Sequence, residues 1–359
     1  KSYGVGDFVQ QVLPLGALAV ILDWLDSYKD LCASWHGTYI SLDFNIPTCF
    51  NPFYGPGDKA HLAFLTAVLA EMASDSVERL RRESLGVLSQ AVAFFMKGWD
   101  RASGEPMLSL FIEETLRPGG FVNDRREQRL GRELIQKLGL YYGDGPYAGF
   151  VDGPNTLALG DQRTVIEISR LKSNPDLQGT LFFILSHLLT QYFVAPHRLH
   201  IPKFFIPEEV WAHLRHPAIA EVHDDMNRTF RKLKTSAIYV SQRGKDFNTP
   251  AGQTICANAD FVLCFEQASR EIPALKEFFE LSEVEVTLVA QARKHGGWSS
   301  AYLRLPNQEG GMVRLVSDSY FRWLMSQDDD EKVLRKQVLS EIGGDVAQAA
   351  HLLAQRYPD

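Results

Sequence analysis

Residues 17–23 read ALAVILD, a continuous apolar run that ends in the carboxylate of Asp23. An apolar run of this length without polar alternation is typical of a strand buried on both faces of a parallel sheet. Similar segments predict further strands at 38–42, 164–168, 237–241 and 261–265. Helical patterns separate several of these strands, so we expect an α/β fold with a parallel sheet and right-handed crossovers.

A different pattern interrupts the predicted sheet. HLAFLTAVLAEM (61–72) and LGVLSQAVAFFM (85–96) place apolar residues at helical spacing, and residues 143–160 are rich in the residues of turns around a short hairpin. We therefore predict an α/β core from 1–57 and 161–270, with a helical insertion at 58–160. Residues 271–359 form a predicted C-terminal extension, mostly helical with a short hairpin, that ends in an amphipathic helix near 346–356.

The composition limits the classes of function. The 359 residues are 45% hydrophobic and 23% charged, and the formal net charge of −7 argues against coating nucleic acid by bulk charge. DNA therefore stays a possible partner only through a local basic groove. The four cysteines form no C-x-x-C pair, which favours reduced thiols. No apolar run approaches the roughly 18–20 residues that span a bilayer, so we expect any membrane contact to be peripheral.

Polar residues close three of the predicted strands. Asp23 ends the first strand, Glu208 and Glu209 follow the apolar FFIP, and Gln242 follows AIYVS. Ligands of parallel α/β sheets bind beyond the carboxyl ends of the strands, so these side chains could meet in one crevice. Each of them alone is equally typical of the solvated start of a loop.

The sequence begins with Lys1-Ser2, followed by apolar residues at helical spacing. In a phosphate-binding loop, G-x-x-x-x-G-K-[ST], backbone amides cradle the phosphates, the lysine reaches the β- and γ-phosphates, and the hydroxyl binds magnesium. Lys1-Ser2 could be the last two residues of such a loop. The two letters do not establish it alone, because the glycines of the motif are not in the sequence.

Several segments in order resemble one family. ALAVILDWLDSYKDLC, NPF at 51–53, FFIPEEVWAHL, MNRTFRKLKTSAIYVSQ and NADFVLCFEQ are similar to the TraC/VirB-type conjugative transfer (type IV secretion) ATPases, which belong to the FtsK/HerA-like P-loop superfamily. FRWLMSQDDDE resembles a late element of the same family. The resemblance covers nearly the whole chain and implies a RecA-like P-loop NTPase fold cut at the end of its phosphate loop.

The resemblance implies roles for Lys1-Ser2 and for the two acids of FFIPEEVWAHL. Lys1 would bind phosphate and Ser2 would bind magnesium. Glu208 would hold magnesium through a water, and Glu209 would orient and activate the attacking water. Glu208 replaces the family's aspartate, and Pro207 before it is unusual in a central strand. An alternative that needs no catalysis places Pro207 in the first turn of a helix, where the two acids offset the helix dipole.

Four further residues match positions of the family. Gln242 would be the sensor of the γ-phosphate, or otherwise a capping or loop residue. Arg231 and Arg228 resemble an arginine-bearing helix whose guanidinium groups neutralise phosphoryl charge, often from a neighbouring subunit, although a solvated basic face is an equal alternative. Asp23 would help to position magnesium or water, or would make structural hydrogen bonds.

The function implied by the resemblance is an ATPase that uses ATP and Mg²⁺ to energise pilus assembly or substrate transfer in type IV secretion. Its expected partners are further copies of itself in a homo-hexamer and the inner-membrane components of the secretion apparatus. Its expected location is the cytoplasmic side of the bacterial inner membrane, in peripheral association. Two alternatives remain: a nucleotide-binding scaffold that hydrolyses ATP weakly or not at all, and a hexameric DNA translocase.

Overall fold

The computed structural model describes residues 1–358, apart from 46–47, 75–78, 101, 103, 161, 215–222, 224–225, 227, 296–297 and 307–308. The chain forms two compact units. The first contains Lys1–Ile40, Leu159–Glu167 and Phe193–Asp359, and the second contains Ser41–Ala158 and Ile168–Tyr192. The boundaries predicted from the sequence, at 57/58, 160/161 and 270/271, stay a prediction.

The first unit is built on a five-stranded sheet in the order β2-β3-β1-β4-β5. Its strands are β1 (Leu18–Asp23), β2 (Thr38–Ser41), β3 (Arg163–Glu167), β4 (Lys203–Pro207) and β5 (Thr235–Ala237). β1 pairs in parallel with β3 and with β4, and β4 pairs in parallel with β5. Every residue of β1 is buried, as expected for a strand covered on both faces. The predicted parallel α/β sheet is confirmed.

Two predicted strands differ in the structure. β5 is shorter than the predicted 237–241, but the amides of Ile238 and Val240 still donate to carbonyls of β4 at 2.9 and 3.2 Å. Residues 261–265 contain β6 (Val262–Cys264), which does not join the parallel sheet. It pairs antiparallel with β7 (Trp298–Arg304), which pairs with β8 (Gly310–Val316). The prediction that this strand lies in the parallel sheet was wrong, because the alternation of strands and helices does not identify the strand with which β6 pairs.

Helices cover the sheet of the first unit. α1 (Ser2–Val12) and α2 (Lys29–Ser34) pack with the helices Ser319–Met325, Asp329–Glu341 and Val346–Arg356 around one apolar core. The approach is close at Gly6, where an added Cβ would lie 3.0 Å from side-chain carbons of both Leu31 and Met325. Glycine in the middle of α1 therefore permits this packing, although it lowers helix propensity. The final helix has the predicted bounds.

The described residues of the first unit also form shorter helices. Among them are α9 (Val210–Leu214), Pro250–Ala257, Ile272–Phe279 and Glu283–Gln291, with 3₁₀ turns at Leu13–Leu15, Pro196–Arg198, Arg231–Leu233 and Gly244–Phe247.

The second unit is mainly helical. Its helices are α3 (Lys59–Met72), α4 (Arg82–Gly98), α5 (Leu108–Phe111) with a π-helical turn at Ile112–Leu116, α6 (Arg125–Leu138), α7 (Ala148–Val151) and most of α8 (Pro175–Val194), with a 3₁₀ turn at Ser169–Leu171. The hairpin predicted within 143–160 was wrong, because this segment folds into turns around α7. Turn-forming residues favour a tight reversal but do not specify the structure between the turns.

α8 is relevant to the expectation that any membrane contact is peripheral. Among the described residues it is the one helix long and apolar enough to cross a membrane by length and composition, and 61% of its most apolar window is buried within the protein. A buried core helix meets the same criterion. The expectation of peripheral membrane contact therefore stays untested.

The central strand allows a test of the packing. Leu22 of β1 is 0% exposed, so Leu22→Ala removes buried methyl groups and leaves a cavity. We expect the variant to lose about 2–5 kcal/mol of unfolding free energy, measured by urea denaturation. Leu25→Ala is the matched control. Leu25 is 62% exposed, so this substitution should change the free energy of unfolding little. Equal losses in the two variants would contradict the assignment of β1 to the core.

Candidate functional site

The carboxyl ends of three adjacent strands carry buried acids. Asp23 pairs with Glu167 in the ladder between β1 and β3, and Leu22 pairs with Pro207, which directly precedes Glu208. Asp23, Glu167 and Glu208 are 0%, 0% and 3% exposed. The structure thus brings two predicted site residues to one sheet edge and adds Glu167, which the sequence analysis missed. Glu167 closes the apolar TVIE, so the rule that selected Asp23 could have found it.

Glu209 is bound by three other residues. Lys1 Nζ lies 2.6 Å from Glu209 Oε1, and Gln242 Nε2 donates to the same oxygen at 2.7 Å. Trp211 Nε1 donates to Oε2 at 2.7 Å. Burial raises the pKa of Glu209, but the hydrogen bonds from Lys1 and Gln242 outweigh it and hold this pKa below its usual value. The side chain is therefore an anion at neutral pH, and three predicted site residues form one cluster.

The backbone of Glu209 is in the left-handed region, with φ of 48°. This conformation is uncommon for a residue with a side chain, and such residues concentrate at functional sites. Glu209 lies between the end of β4 at Pro207 and the start of α9 at Val210. The turn allows adjacent residues to place their carboxylates among different partners.

Glu208 has a more buried environment than Glu209. The hydroxyl of Tyr28 donates a hydrogen bond to Glu208 Oε1. Burial raises the pKa of Glu208, while the bond from Tyr28 and the charge of Lys1 lower it, with a net increase. The two neighbouring acids thus have pKa values shifted in opposite directions, which is a feature of paired carboxylates with different chemical roles.

Asp23 organises the loop that follows β1. Its Oδ1 accepts from the amides of Trp24 at 2.7 Å and Ser27 at 3.1 Å, and its Oδ2 accepts from the amide of Tyr28 at 3.0 Å. Burial raises the pKa of Asp23 to about 7 in spite of these hydrogen bonds. The structure shows the hydrogen bonds expected of a structural aspartate, and its role toward magnesium or water stays a prediction.

Pro207 is compatible with its place in the sheet. It is the last residue of β4, its carbonyl accepts from the Val240 amide at 3.2 Å, and the next amide, of Glu208, donates to Leu22 O at 3.0 Å. The ladder therefore continues past the residue that has no N–H. α9 begins only at Val210, so the alternative that placed Pro207 in the first turn of a helix was wrong.

The start of the chain lies at the same site. Ser2 is the first residue of α1, preceded by Lys1 as its N-cap. A helix N-terminus favours anions through its free amides and its dipole. The lysine, the hydroxyl and the helix terminus are suitable for binding a phosphate group.

The structure tells less about the two arginines predicted for the site. Arg228 is exposed, and Arg231 begins the 3₁₀ turn Arg231–Leu233. The side chain of Arg231 lies outside the described residues. The roles predicted for both of them stay predictions.

The residues present fit a magnesium ion that is shared with a nucleotide. No group of three or more His, Cys, Asp or Glu side chains suitable for a metal occurs in the part of the chain that the structure describes. Magnesium in phosphate-transfer sites is held by one or two protein oxygen ligands together with substrate phosphates and waters. The Ser2 hydroxyl at the start of α1 and the Glu208 carboxylate after β4, which accepts from Tyr28, are oxygen groups of this kind.

Comparisons with known proteins identify relatives of this chain. The chain is 23% identical to protein TraC of Escherichia coli (strain K12) over 354 residues, which is 94% of this chain and 39% of TraC. The chain therefore spans well under half the length of that relative.

Solved structures share the fold. VirB4 of Thermoanaerobacter pseudethanolicus has a TM-score of 0.69 at 17% identity, covering 89% of this chain and 87% of that one. The plasmid coupling protein TrwB, in complex with a non-hydrolysable ATP analogue, has a TM-score of 0.55 at 12% identity, covering 87% of this chain and 81% of that one. The TraG P-loop domain matches residues 1–355, nearly the whole chain. The chain belongs to the TraG P-loop domain family.

Proposed function

We propose that this chain is the nucleotide-hydrolysing motor domain of a type IV secretion or conjugation ATPase. The observation that carries the proposal is the cluster of Lys1, Gln242 and Trp211 around the ionised Glu209, next to the buried Glu208. A phosphate-binding lysine, a water-orienting carboxylate and an amide that can contact the γ-phosphate are the groups that ATP hydrolysis requires. Family membership and the resemblance to TraC support the same proposal.

The proposed reaction begins with a change of partner by Lys1. Its ammonium is paired with Glu209, and the two side chains are 25% and 7% exposed. Arriving phosphates compete for Lys1, which leaves Glu209 Oε1 free to accept a hydrogen bond from the attacking water. Gln242 lies on the same oxygen, so its amide contacts both the water and the carboxylate. The Glu209–Trp211 bond keeps the carboxylate oriented during this exchange.

The magnesium ion, when bound with the nucleotide, neutralises charge on the β- and γ-phosphates. Ser2 and Glu208 are the residues that would hold it. Arg231 and Arg228 are proposed to supply positive charge to the transferring phosphoryl group, in the manner of an arginine from a neighbouring subunit. Homo-hexamer formation, docking on inner-membrane secretion components and peripheral location at the inner membrane are part of the same proposal.

The scaffold and DNA-translocase alternatives make different predictions. A scaffold binds nucleotide without turnover. Pro207 and Glu208 are the residues that favour it, and the place of Pro207 in the ladder is compatible with a formed site. A translocase binds DNA with an affinity that falls as salt rises. The net charge of −7 does not favour this alternative. Nucleotide turnover and salt-dependent DNA binding separate the three functions.

Lys1→Ala in the full-length protein tests the nucleotide site. We expect affinity for ATP with Mg²⁺ to fall about 10–100-fold, because a charged hydrogen bond to phosphate contributes about 1.5–3 kcal/mol. Isothermal titration calorimetry measures the affinity. Lys336→Ala is the control, since Lys336 is exposed on the helix Asp329–Glu341. Unchanged affinity in Lys1→Ala would contradict the assignment of Lys1 as the phosphate lysine.

A further inference from the structure

Tyr28 is a fully buried tyrosine whose position is set by its own loop. Its side chain is 0% exposed and belongs to the main apolar core of the first unit. Its amide donates to Asp23 Oδ2 at 3.0 Å, which fixes the backbone of the loop after β1. The backbone hydrogen bond and the packing of the ring in the core therefore fix the position of the hydroxyl.

The hydroxyl holds one of the two residues to which the proposed function assigns magnesium. It donates to Oε1 of Glu208, directly after β4. A buried hydroxyl in this place restrains that carboxylate.

The hydrogen bond runs from the tyrosine to the carboxylate. The Tyr28 hydroxyl has one hydrogen, and it donates that hydrogen to Glu208 Oε1. Tyr28→Phe would remove this donor without removing the ring.

The same contact gives a reason for glutamate at 208. A glutamate carboxylate reaches one methylene farther than an aspartate carboxylate, and it has one more rotatable bond to restrain. The Tyr28 hydroxyl bonds to that carboxylate in the buried crevice at the end of β4. The longer side chain and its buried donor therefore act as a pair.

We propose that Tyr28 is a positioning residue of the magnesium site, whose hydroxyl fixes the Glu208 carboxylate toward the ion. The inference rests on the proposed function, since it concerns a magnesium-holding residue of the same reaction. Tyr28 touches neither the nucleotide nor the reacting water in this mechanism. It acts through Glu208.

The test measures ATP hydrolysis by the full-length protein as a function of Mg²⁺ concentration. In Tyr28→Phe we expect the Mg²⁺ concentration at half-maximal rate to rise about 10-fold, the size expected for one hydrogen bond to a charged group. The rate at saturating Mg²⁺ should largely recover, and ATP binding in EDTA should be unchanged. A loss of packing alone would not move the Mg²⁺ dependence selectively.

Tyr39→Phe is the matched control. The Tyr39 hydroxyl also donates to a carboxylate of the first unit, that of Asp26, but it has no bond to Glu208. We expect its Mg²⁺ dependence to equal that of the unsubstituted protein. An equal shift in both variants would show a general effect of removing a tyrosine hydroxyl and would overturn the inference.

A double-variant cycle tests whether Tyr28 acts through Glu208. Glu208→Asp shortens the carboxylate, so it should raise the Mg²⁺ requirement by itself, and adding Tyr28→Phe should then raise it no further. Additive shifts would overturn the inference. An active unsubstituted protein with an unchanged Mg²⁺ dependence in Tyr28→Phe would contradict the inference alone. An unsubstituted protein without Mg²⁺-dependent turnover would contradict the proposed function and, with it, the inference.

Discussion

Glu209→Gln should abolish most ATP hydrolysis while the protein still binds ATP. The amide keeps the size of the side chain but cannot accept a proton from water, and a positioned general base contributes about 10²–10⁴-fold to a rate. The same change removes the ion pair in which Lys1 Nζ lies 2.6 Å from Glu209. Lys1 is then free for phosphate, so we expect ATP affinity to be unchanged or to rise severalfold.

Steady-state phosphate release and calorimetric ATP binding measure these two effects separately. Glu341→Gln is the control, since Glu341 is exposed at the end of the helix Asp329–Glu341. A Glu209→Gln variant that retains the full rate would contradict the role of Glu209. Loss of binding together with the rate would mean that Glu209 supports the structure of the site instead of the chemistry.

Asp23→Ala should have the largest effect on stability. Its carboxylate accepts hydrogen bonds from three backbone amides, those of Trp24, Ser27 and Tyr28, and it is 0% exposed. Each buried donor left without a partner costs about 1–3 kcal/mol. We therefore expect a loss of at least about 3 kcal/mol in the free energy of unfolding, seen as a lower urea midpoint.

An exposed aspartate provides the comparison for this variant. Asp144→Ala changes a side chain in a solvated turn and should shift the midpoint by about 0.5 kcal/mol or less. A midpoint for Asp23→Ala that matches that of Asp144→Ala would contradict the structural role of Asp23. Such a result would leave the predicted role toward magnesium or water as the reason for an aspartate there.

The elements with strong local patterns were predictable. ALAVILD contains β1, and AIYVS overlaps β5, because a buried parallel strand needs a continuous apolar run. β6 has a similar apolar run, yet it pairs with β7 in a separate antiparallel sheet. An apolar run predicts a strand, whereas the strand with which it pairs depends on contacts distant in sequence.

The site residues that directly follow a strand were predictable from the sequence. Glu208, Glu209 and Gln242 follow apolar segments, and the shared edge of a parallel sheet brings such residues together. Tyr28 was not predictable, because it lies inside the loop WLDSYKD, where no periodicity marks it. Its importance comes from a hydrogen bond to Glu208, a residue 180 positions away.

Phosphate release from ATP by the full-length protein, measured with Mg²⁺ and with EDTA, tests the central claim most directly. The proposed function predicts release that requires Mg²⁺ and that falls about 10²-fold or more in Glu209→Gln. A low rate that is the same with Mg²⁺, with EDTA and in Glu209→Gln would contradict it.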